Sequence, residues 1–287
     1  SSCNTLTVSL VLLAHRPLHR HLSNTMFFLF RSADPASALG GLDHGSLSQQ
    51  TLMELLIDGI TSREYICGSS DTPPDVSEWH GIDLDDDNEI VDISWELKAL
   101  EGSIDLQWIP STVEYFSVYS NKLCGTIDLT QLPNGLLDID VVDNNFTGEI
   151  SLTALPELLN ELHVSNNALS GTVGLENLPS KLGWLTLRCN QFCGSICLSK
   201  LPDSLTRLDI SENTLSGPLD LTKLPGRMKV LCLSNNSFEG ETDFSKLPDL
   251  LILQVSNTLL SGDVWPTGQQ NFEVRNSGVR IHSRAVN

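Results

Sequence analysis

Positive charge is scarce in this chain of 287 residues, which has 17 lysines and arginines against 36 aspartates and glutamates. The formal net charge of −19 repels the phosphate backbone of nucleic acids, so we expect no nucleic-acid partner. Long hydrophobic runs are also absent, because none reaches the ~18 residues that a transmembrane helix needs. The sequence therefore predicts a protein without stable membrane insertion.

Familiar catalytic motifs are missing as well. The chain has no glycine-rich phosphate loop and no His-Glu-x-x-His zinc motif. His163, Ser165 and Asp140 resemble a catalytic triad in composition, but nothing near them supplies a nucleophile turn or an oxyanion hole. We therefore expect no catalytic residues, no cofactor and no metal, and we keep an enzyme only as a remote alternative.

The chain also lacks a paired cysteine pattern. Its seven cysteines are an odd number without a disulfide framework, which favours a reducing compartment and predicts a cytoplasmic location. Cys189, Cys193 and Cys197 stand four apart, but a zinc site would need a fourth ligand and converging side chains. We expect passive thiols. A targeting signal is not expected, because no basic segment precedes the apolar stretch Leu6–Ala14.

An acidic run between Asp83 and Glu89 suggests calcium binding at first sight. An EF-hand loop that began at Asp83 would need glycine and glutamate at positions where the chain has Asn88 and Ser94. The run is therefore interpreted as a solvated, self-repelling turn.

Much of the chain is an internal repeat. A glycine recurs every 23 residues, with a last interval of 22, at Gly102, Gly125, Gly148, Gly171, Gly194, Gly217, Gly240 and Gly262. Four residues before six of these glycines stands an asparagine: Asn121, Asn144, Asn167, Asn190, Asn213 and Asn236. A common phase of this kind predicts a solenoid, with eight coils of about 23 residues over residues 90–266.

Each coil should contain one short strand followed by a turn at the asparagine. In the middle unit, Leu185 and Leu187 should point toward the core, while Trp184 and Arg188 point away from it. An asparagine amide offers two donors and an acceptor to the backbone of the turn and of the neighbouring coil. Stacked in register, the six asparagines are predicted to form a buried structural ladder.

The middle unit, LGWLTLRCNQFCGSICLSKLP from Leu182 to Pro202, carries a recognisable pattern. Its L-x-x-L-x-L-x-x-N spacing resembles the leucine-rich repeat, and the N-x-[LF]-x-G-x-[ILV] that follows resembles the plant-type variant. The resemblance covers about residues 46–266, and it departs after the glycine, where the plant-type proline is missing. It implies an α/β-type solenoid: a right-handed superhelix with a parallel β-sheet on the concave face and short turns on the convex face.

The segments that flank the repeats are expected to be caps. Residues 46–89 should form an N-terminal cap, with a helix over about 46–63 that a Ser-x-x-Gln capping box opens. Residues 1–45 are interpreted as a poorly structured lead-in, and residues 267–287 as a C-terminal cap or tail.

The stretch VSEWHGIDLDDDNEIVDI resembles the cap of plant-type leucine-rich repeats. Trp79, Gly81 and Ile82 match that cap, whereas its two cysteines fall on Ser77 and Leu84. The stapling disulfide of secreted relatives is therefore expected to be absent.

The outward residues of the strands form the candidate binding surface. Its predicted partner-binding residues on the concave face are Tyr115, Tyr119, Asp138, Asp140, Glu161, His163, Trp184, Arg188, Arg207 and Asp209. Aromatic groups placed where they gain no core burial, with charged groups around them, are typical of interaction hot spots. The resemblance implies the same role, because leucine-rich repeats chiefly mediate contacts between proteins.

We therefore expect a monomeric, non-catalytic domain that binds a protein partner in a scaffold, signalling or regulatory role. The alternative is a fragment of a secreted or cell-surface leucine-rich repeat receptor or adhesion protein.

Overall fold

A computed structural model describes residues 44–68, 72–267 and 270–282 of the chain. The chain divides into two compact units, Ser1–Ser46 and Leu47–Asn287. In the first unit the described part is the 3-10 turn His44–Ser46. The predicted lead-in thus lies almost wholly outside the described residues.

The second unit is a stack of coils in which each regular coil contributes a strand to each of two sheets. The ten-stranded sheet runs in the order β1 (Ile82–Leu84), β2 (Ile90–Ser94), β4 (Tyr115–Ser117), β6 (Asp138–Asp140), β8 (Glu161–His163), β10 (Trp184–Thr186), β12 (Arg207–Asp209), β14 (Val230–Cys232), β16 (Ile252–Gln254) and β18 (Asn271–Glu273). The nine-stranded sheet consists of β3 (Glu101–Gly102), β5 (Lys122–Gly125), β7 (Asn145–Glu149), β9 (Ala168–Thr172), β11 (Gln191–Gly194), β13 (Thr214–Gly217), β15 (Ser237–Glu241), β17 (Leu259–Val264) and β19 (Gly278–Ile281).

The ten-stranded sheet follows from the apolar alternation of each repeat. β1 pairs with β2 antiparallel, and the later strands pair in parallel with their neighbours one coil away. Leu185 and Leu187 are fully buried, whereas Trp184 and Thr186 on the same strand are half-buried and face outward. The predicted solenoid with a parallel sheet is confirmed.

The nine-stranded sheet was not predicted, because the sequence suggested only turns after each asparagine. The residue before each ladder asparagine adopts a left-handed conformation, as Cys189 does with φ 54°. This sharp turn sends the chain into a second extended segment, in which Phe192 is buried and its neighbours Gln191 and Cys193 are exposed. The corner thus lies at the asparagine, and a second strand follows it directly.

The repeated asparagines join successive coils through their side chains. The Asn167 Oδ1 atom accepts a hydrogen bond of 2.9 Å from the Phe146 N–H, and its Nδ2 atom donates to the carbonyls of Val141 (3.0 Å), Val164 (3.2 Å) and Ser165 (3.1 Å). The same contact to the preceding coil is made by Asn121, Asn144, Asn190, Asn213 and Asn236. In the eighth coil Thr258 replaces the asparagine and bonds to the Val255 carbonyl at 2.7 Å.

The N-terminal cap contains a shorter helix than we predicted. α1 spans Gln49–Leu56, with Ser48 rather than Ser46 as its N-cap, and α2 spans Glu64–Cys67. A helix could not continue to residue 63, because Ile60 bridges to Gly102 and the Thr61 N–H donates to the Glu101 carbonyl at 2.8 Å. The first coil therefore determines where the helix ends.

Two glutamines fasten the cap helix to the segments that follow it. The Gln49 Oε1 atom accepts from the Ile90 N–H, and the Gln50 Oε1 atom accepts from the Val76 N–H, each at 2.6 Å.

The acidic run is the turn of the β1–β2 hairpin, in which the Asp85 carboxylate accepts from the Asp87 and Glu89 N–H groups at 2.9 Å.

The C-terminal stretch continues the stack. Although it leaves the 23-residue spacing, β18 pairs with β16 and β19 pairs with β17, both in parallel. Val279 is buried, which gives this last coil a small apolar contact with the coil before it. The segment that we expected to be a cap or tail thus adds a strand to each sheet.

Candidate functional site

The pairing register arranges the predicted binding residues in rows across the ten-stranded sheet. The first row consists of Tyr115, Asp138, Glu161, Trp184 and Arg207, and each of these residues is paired with the next one on the neighbouring strand. The second row contains Asp140, His163 and Asp209, with Thr186 between the last two. Tyr119 and Arg188 follow the ends of their strands and belong to a third row. We call the ten predicted residues, without Thr186, the sheet face.

The sheet face holds an aromatic group between two partners. The Arg207 guanidinium lies 4.7 Å from the centroid of the Trp184 ring, and the His163 ring meets Trp184 edge-on at 4.6 Å. These contacts hold the indole while leaving it partly exposed. Tyr115 is 46% exposed and Tyr119 is half-buried. The surface therefore offers rigid aromatic area of the kind that anchors a partner.

Acidic groups and a histidine crowd the centre of the sheet face. His163 is buried, and its Nε2 atom lies 3.0 Å from the Glu161 Oε2 atom. Burial raises the pKa of Asp138 to about 6; His163 opposes this rise, and Glu161 and Asp140 add to it. Burial also raises the pKa of Asp140, against the hydrogen bond that its carboxylate accepts from the Val142 N–H.

Replacing Asp138 by asparagine should change stability in a pH-dependent way. The pKa of Asp138 in the folded protein is above its ordinary value of 3.8, so the native state binds this proton more tightly than the unfolded state. The wild-type protein therefore loses stability as the pH rises from about 4 to 6. An uncharged asparagine avoids that loss, and Asp138→Asn should stabilise by about 1–2 kcal/mol at pH 7.5, given the half-buried side chain.

The measurement is urea unfolding at pH 4 and pH 7.5 in metal-free buffer. The exposed Asp203→Asn is the control and should change nothing at either pH. If Asp138→Asn is no more stable than wild type at pH 7.5, the ionised Asp138 carboxylate does not destabilise the folded protein.

A second part of the surface lies toward the C-terminal coils and was missed from the sequence. The Arg188 Nη2 atom pairs with the Glu212 Oε1 atom at 2.7 Å. Beside this pair is an open groove of about 470 Å³, whose lining includes Gln254, Glu273 and Arg275. The groove is lined from the second and third rows, and Trp184 and Arg207 of the first row do not line it, so Arg188 and the Trp184–Arg207 contact are parts of different subsites.

Exposed asparagines beside this groove form a row of side-chain hydrogen bonds that is separate from the asparagine ladder. The Asn257 Nδ2 atom donates to Asn235 Oδ1 at 2.6 Å, and the Asn276 Nδ2 atom donates to Asn257 Oδ1 at 2.7 Å. All three have the left-handed conformation of the corner. The repeat register could have identified Asn235 and Asn257, because each stands one residue before a ladder position.

The other candidate clusters do not assemble. Among the described residues, one group of histidine, cysteine or acidic side chains is close enough together to hold a metal ion, and it consists of Asp138, Glu161 and His163. The acidic hairpin turn and the cysteine run form no such group within those residues. The six described cysteines are free thiols. The Ser165 Oγ atom bonds to Thr186 Oγ1 at 2.5 Å, whereas the His163 Nε2 atom contacts Glu161, which leaves the triad-like residues with separate partners.

Several solved structures of plant proteins are similar to this chain. No protein-family model matches the chain, and no curated protein matches it in sequence. The leucine-rich repeat ectodomain of the receptor kinase GASSHO1/SCHENGEN3 from Arabidopsis thaliana, in complex with CASPARIAN STRIP INTEGRITY FACTOR 2, aligns with a TM-score of 0.52 and 20% identity over 82% of this chain. The chain has a leucine-rich repeat fold.

Two further structures share this leucine-rich repeat fold. The PEPR1–AtPEP1 complex aligns with a TM-score of 0.50 and 19% identity over 82% of this chain, and a plant ice-binding protein aligns with 0.50 and 20% over the same share. The aligned region spans 94% of the ice-binding protein, but less than half of the other two chains, namely 42% in the PEPR1–AtPEP1 structure and 29% in the GASSHO1/SCHENGEN3 ectodomain. Within the described residues, no helix is both long and apolar enough to cross a bilayer.

Proposed function

We propose that this leucine-rich repeat chain is a non-catalytic domain that binds a protein or peptide through its sheet face. The observation that carries the proposal is the Trp184 ring, held between Arg207 and His163 and still partly exposed. An aromatic side chain outside the core contributes little to folding, whereas it gains contact area when a partner covers it. The charged residues around it supply a polar rim.

The receptor structures support this proposal and change the expected location. Two of the matched structures are complexes, one of a receptor ectodomain with CASPARIAN STRIP INTEGRITY FACTOR 2 and one of PEPR1 with AtPEP1. We therefore propose a secreted or cell-surface protein, or a fragment of one, in place of the cytoplasmic location that the cysteine pattern suggested. An ectodomain fold favours this alternative, and free thiols alone are a weaker indication.

The triple variant Tyr115→Ala, Tyr119→Ala, Trp184→Ala tests the proposed surface. The immobilised full chain is exposed separately to secreted and cell-surface proteins and to cytosol from the source cells. We expect a partner from the first fraction, and we expect the triple variant to retain it at least about tenfold less, because losing hot-spot aromatics costs more than 1 kcal/mol. Mass spectrometry of the eluted proteins is the measurement.

A matched control removes exposed apolar groups elsewhere. Leu158→Ala with Leu259→Ala deletes side chains that are 40% and 68% exposed and lie outside the sheet face, and this variant should retain the partner. Equal capture by the triple variant would refute the binding surface. A partner found only in the cytosolic fraction would refute the location and leave the surface proposal intact.

A further inference from the structure

Three potential metal ligands meet at the centre of the ten-stranded sheet. Glu161 and His163 are two residues apart on β8 and therefore point to the same face. Asp138 on β6 pairs directly with Glu161. One nitrogen or oxygen atom from each of the three side chains lies within 4.8 Å of the other two. The register of the coils thus brings together an imidazole and two carboxylates.

The described side chains around this group do not balance its negative charge. The Asp138 Oδ1 atom is buried and has no hydrogen-bond partner among the described residues. A buried oxygen of this kind is costly unless a donor or a cation satisfies it. Glu161 and Asp140 add further negative charge nearby, while Arg207 is engaged with the Trp184 ring. The local balance of charge therefore favours a bound cation.

We propose that Asp138, Glu161 and His163 form a binding site for a divalent transition-metal ion such as Zn²⁺. One imidazole nitrogen with two carboxylate oxygens is a donor set that suits zinc and its first-row neighbours better than calcium or magnesium. Positions not taken by these three ligands remain for water or for a group from a partner. Metal binding at this site does not depend on the protein-binding role of the sheet face.

The geometry is close to what such an ion requires. Ligand atoms about 2.1 Å from one ion lie between about 3 and 4.2 Å apart, depending on the angle between the bonds. The His163 Nε2 and Glu161 Oε2 atoms are already 3.0 Å apart. The three ligand atoms lie within 4.8 Å of one another, so no separation exceeds the upper limit by more than about 0.6 Å. The edge-on contact with Trp184 restricts the orientation of the His163 ring, as a contact around a metal ligand should.

The test is a calorimetric titration of the full chain with Zn²⁺. His15, His19 and His21 stand close together in the sequence outside the described residues and could bind zinc themselves, so all proteins carry His→Asn at these three positions. We expect one bound equivalent of Zn²⁺, and an affinity at least about tenfold weaker in His163→Gln and in Asp138→Asn.

His282→Gln is the matched control. His282 also bonds to a carboxylate, with Nε2 at 2.7 Å from Asp263 Oδ1, but Arg280 occupies the same carboxylate and opposes a second cation. This variant should bind Zn²⁺ as tightly as its parent. Zinc binding that is absent from the parent, or equally weakened in His163→Gln and His282→Gln, would overturn the proposed site.

Cobalt distinguishes the proposed ligands from the free thiols. Co²⁺ bound by nitrogen and oxygen absorbs weakly in the visible range, whereas cysteine ligands add an intense charge-transfer band in the near ultraviolet. We expect the weak visible bands without the intense one, and their loss in His163→Gln. A thiolate band that persists in His163→Gln would place the metal on cysteine and refute the site.

Discussion

Asn167→Ala is expected to lower the free energy of unfolding by about 1–3 kcal/mol, because it removes the hydrogen-bond partner of the Phe146 N–H and three further bonds to backbone carbonyls. The side chain satisfies the Phe146 N–H and the carbonyl of Val141 in the preceding coil, and two carbonyls of its own coil. An alanine methyl group replaces none of these bonds, so the Phe146 N–H loses the acceptor that joins it to the next coil. Urea unfolding followed by circular dichroism measures the loss.

Asn145→Ala is the matched control for this prediction. The same chemical change then occurs on an exposed residue of β7, one coil away from Asn167, and should alter stability by no more than about 0.5 kcal/mol. If both variants unfold at the same urea concentration as wild type, the asparagine contacts do not stabilise the stack.

Gly102→Ala is expected to detach the N-terminal cap from the first coil, at a total cost of about 2–5 kcal/mol. Gly102 has φ 100°, which costs an alanine about 1–2 kcal/mol. An added Cβ would also overlap the Gly59 carbonyl oxygen and lie 2.9 Å from the Thr61 nitrogen, both backbone atoms that cannot move aside separately. This overlap adds about 1–3 kcal/mol. Hydrogen exchange should show faster opening over α1 and β3.

Gly125→Ala separates the overlap from the backbone strain. Gly125 occupies the same repeat position in the next coil with φ 89°, but an added Cβ would meet only the Ser103 Cβ atom at 3.5 Å, an ordinary contact. We expect a loss of about 1–2 kcal/mol and unchanged protection of α1. Equal losses and equal protection patterns in the two variants would show that the cap does not dock through Gly102.

The repeat register predicted the core well, and it did so because identical coils place identical residues in identical surroundings. Leu185, Leu187 and the ladder position of Asn167 could all be located by counting in steps of 23. The same counting failed at the caps, where the helix ends at Leu56 because Ile60 must extend to reach Gly102. That contact joins residues 42 positions apart, which no local pattern reveals.

The surface was predictable as a set of residues and unpredictable as a set of contacts. Alternation along a strand showed that Trp184 and His163 face outward, yet their ring contact and the distance from His163 to Glu161 depend on side-chain rotamers across two coils. The spacing of the three neighbouring cysteines follows from the repeat, because they occupy successive places on one coil.

By itself the sequence determined the solenoid, its period, its buried face and the order of the outward residues, because each depends only on spacing along one coil. The tertiary structure decided the second sheet, the ends of the cap helix and the meeting of Asp138, Glu161 and His163. These features depend on how far one coil is displaced from the next and on which side chains then come within bonding distance, and both are properties of the packed stack.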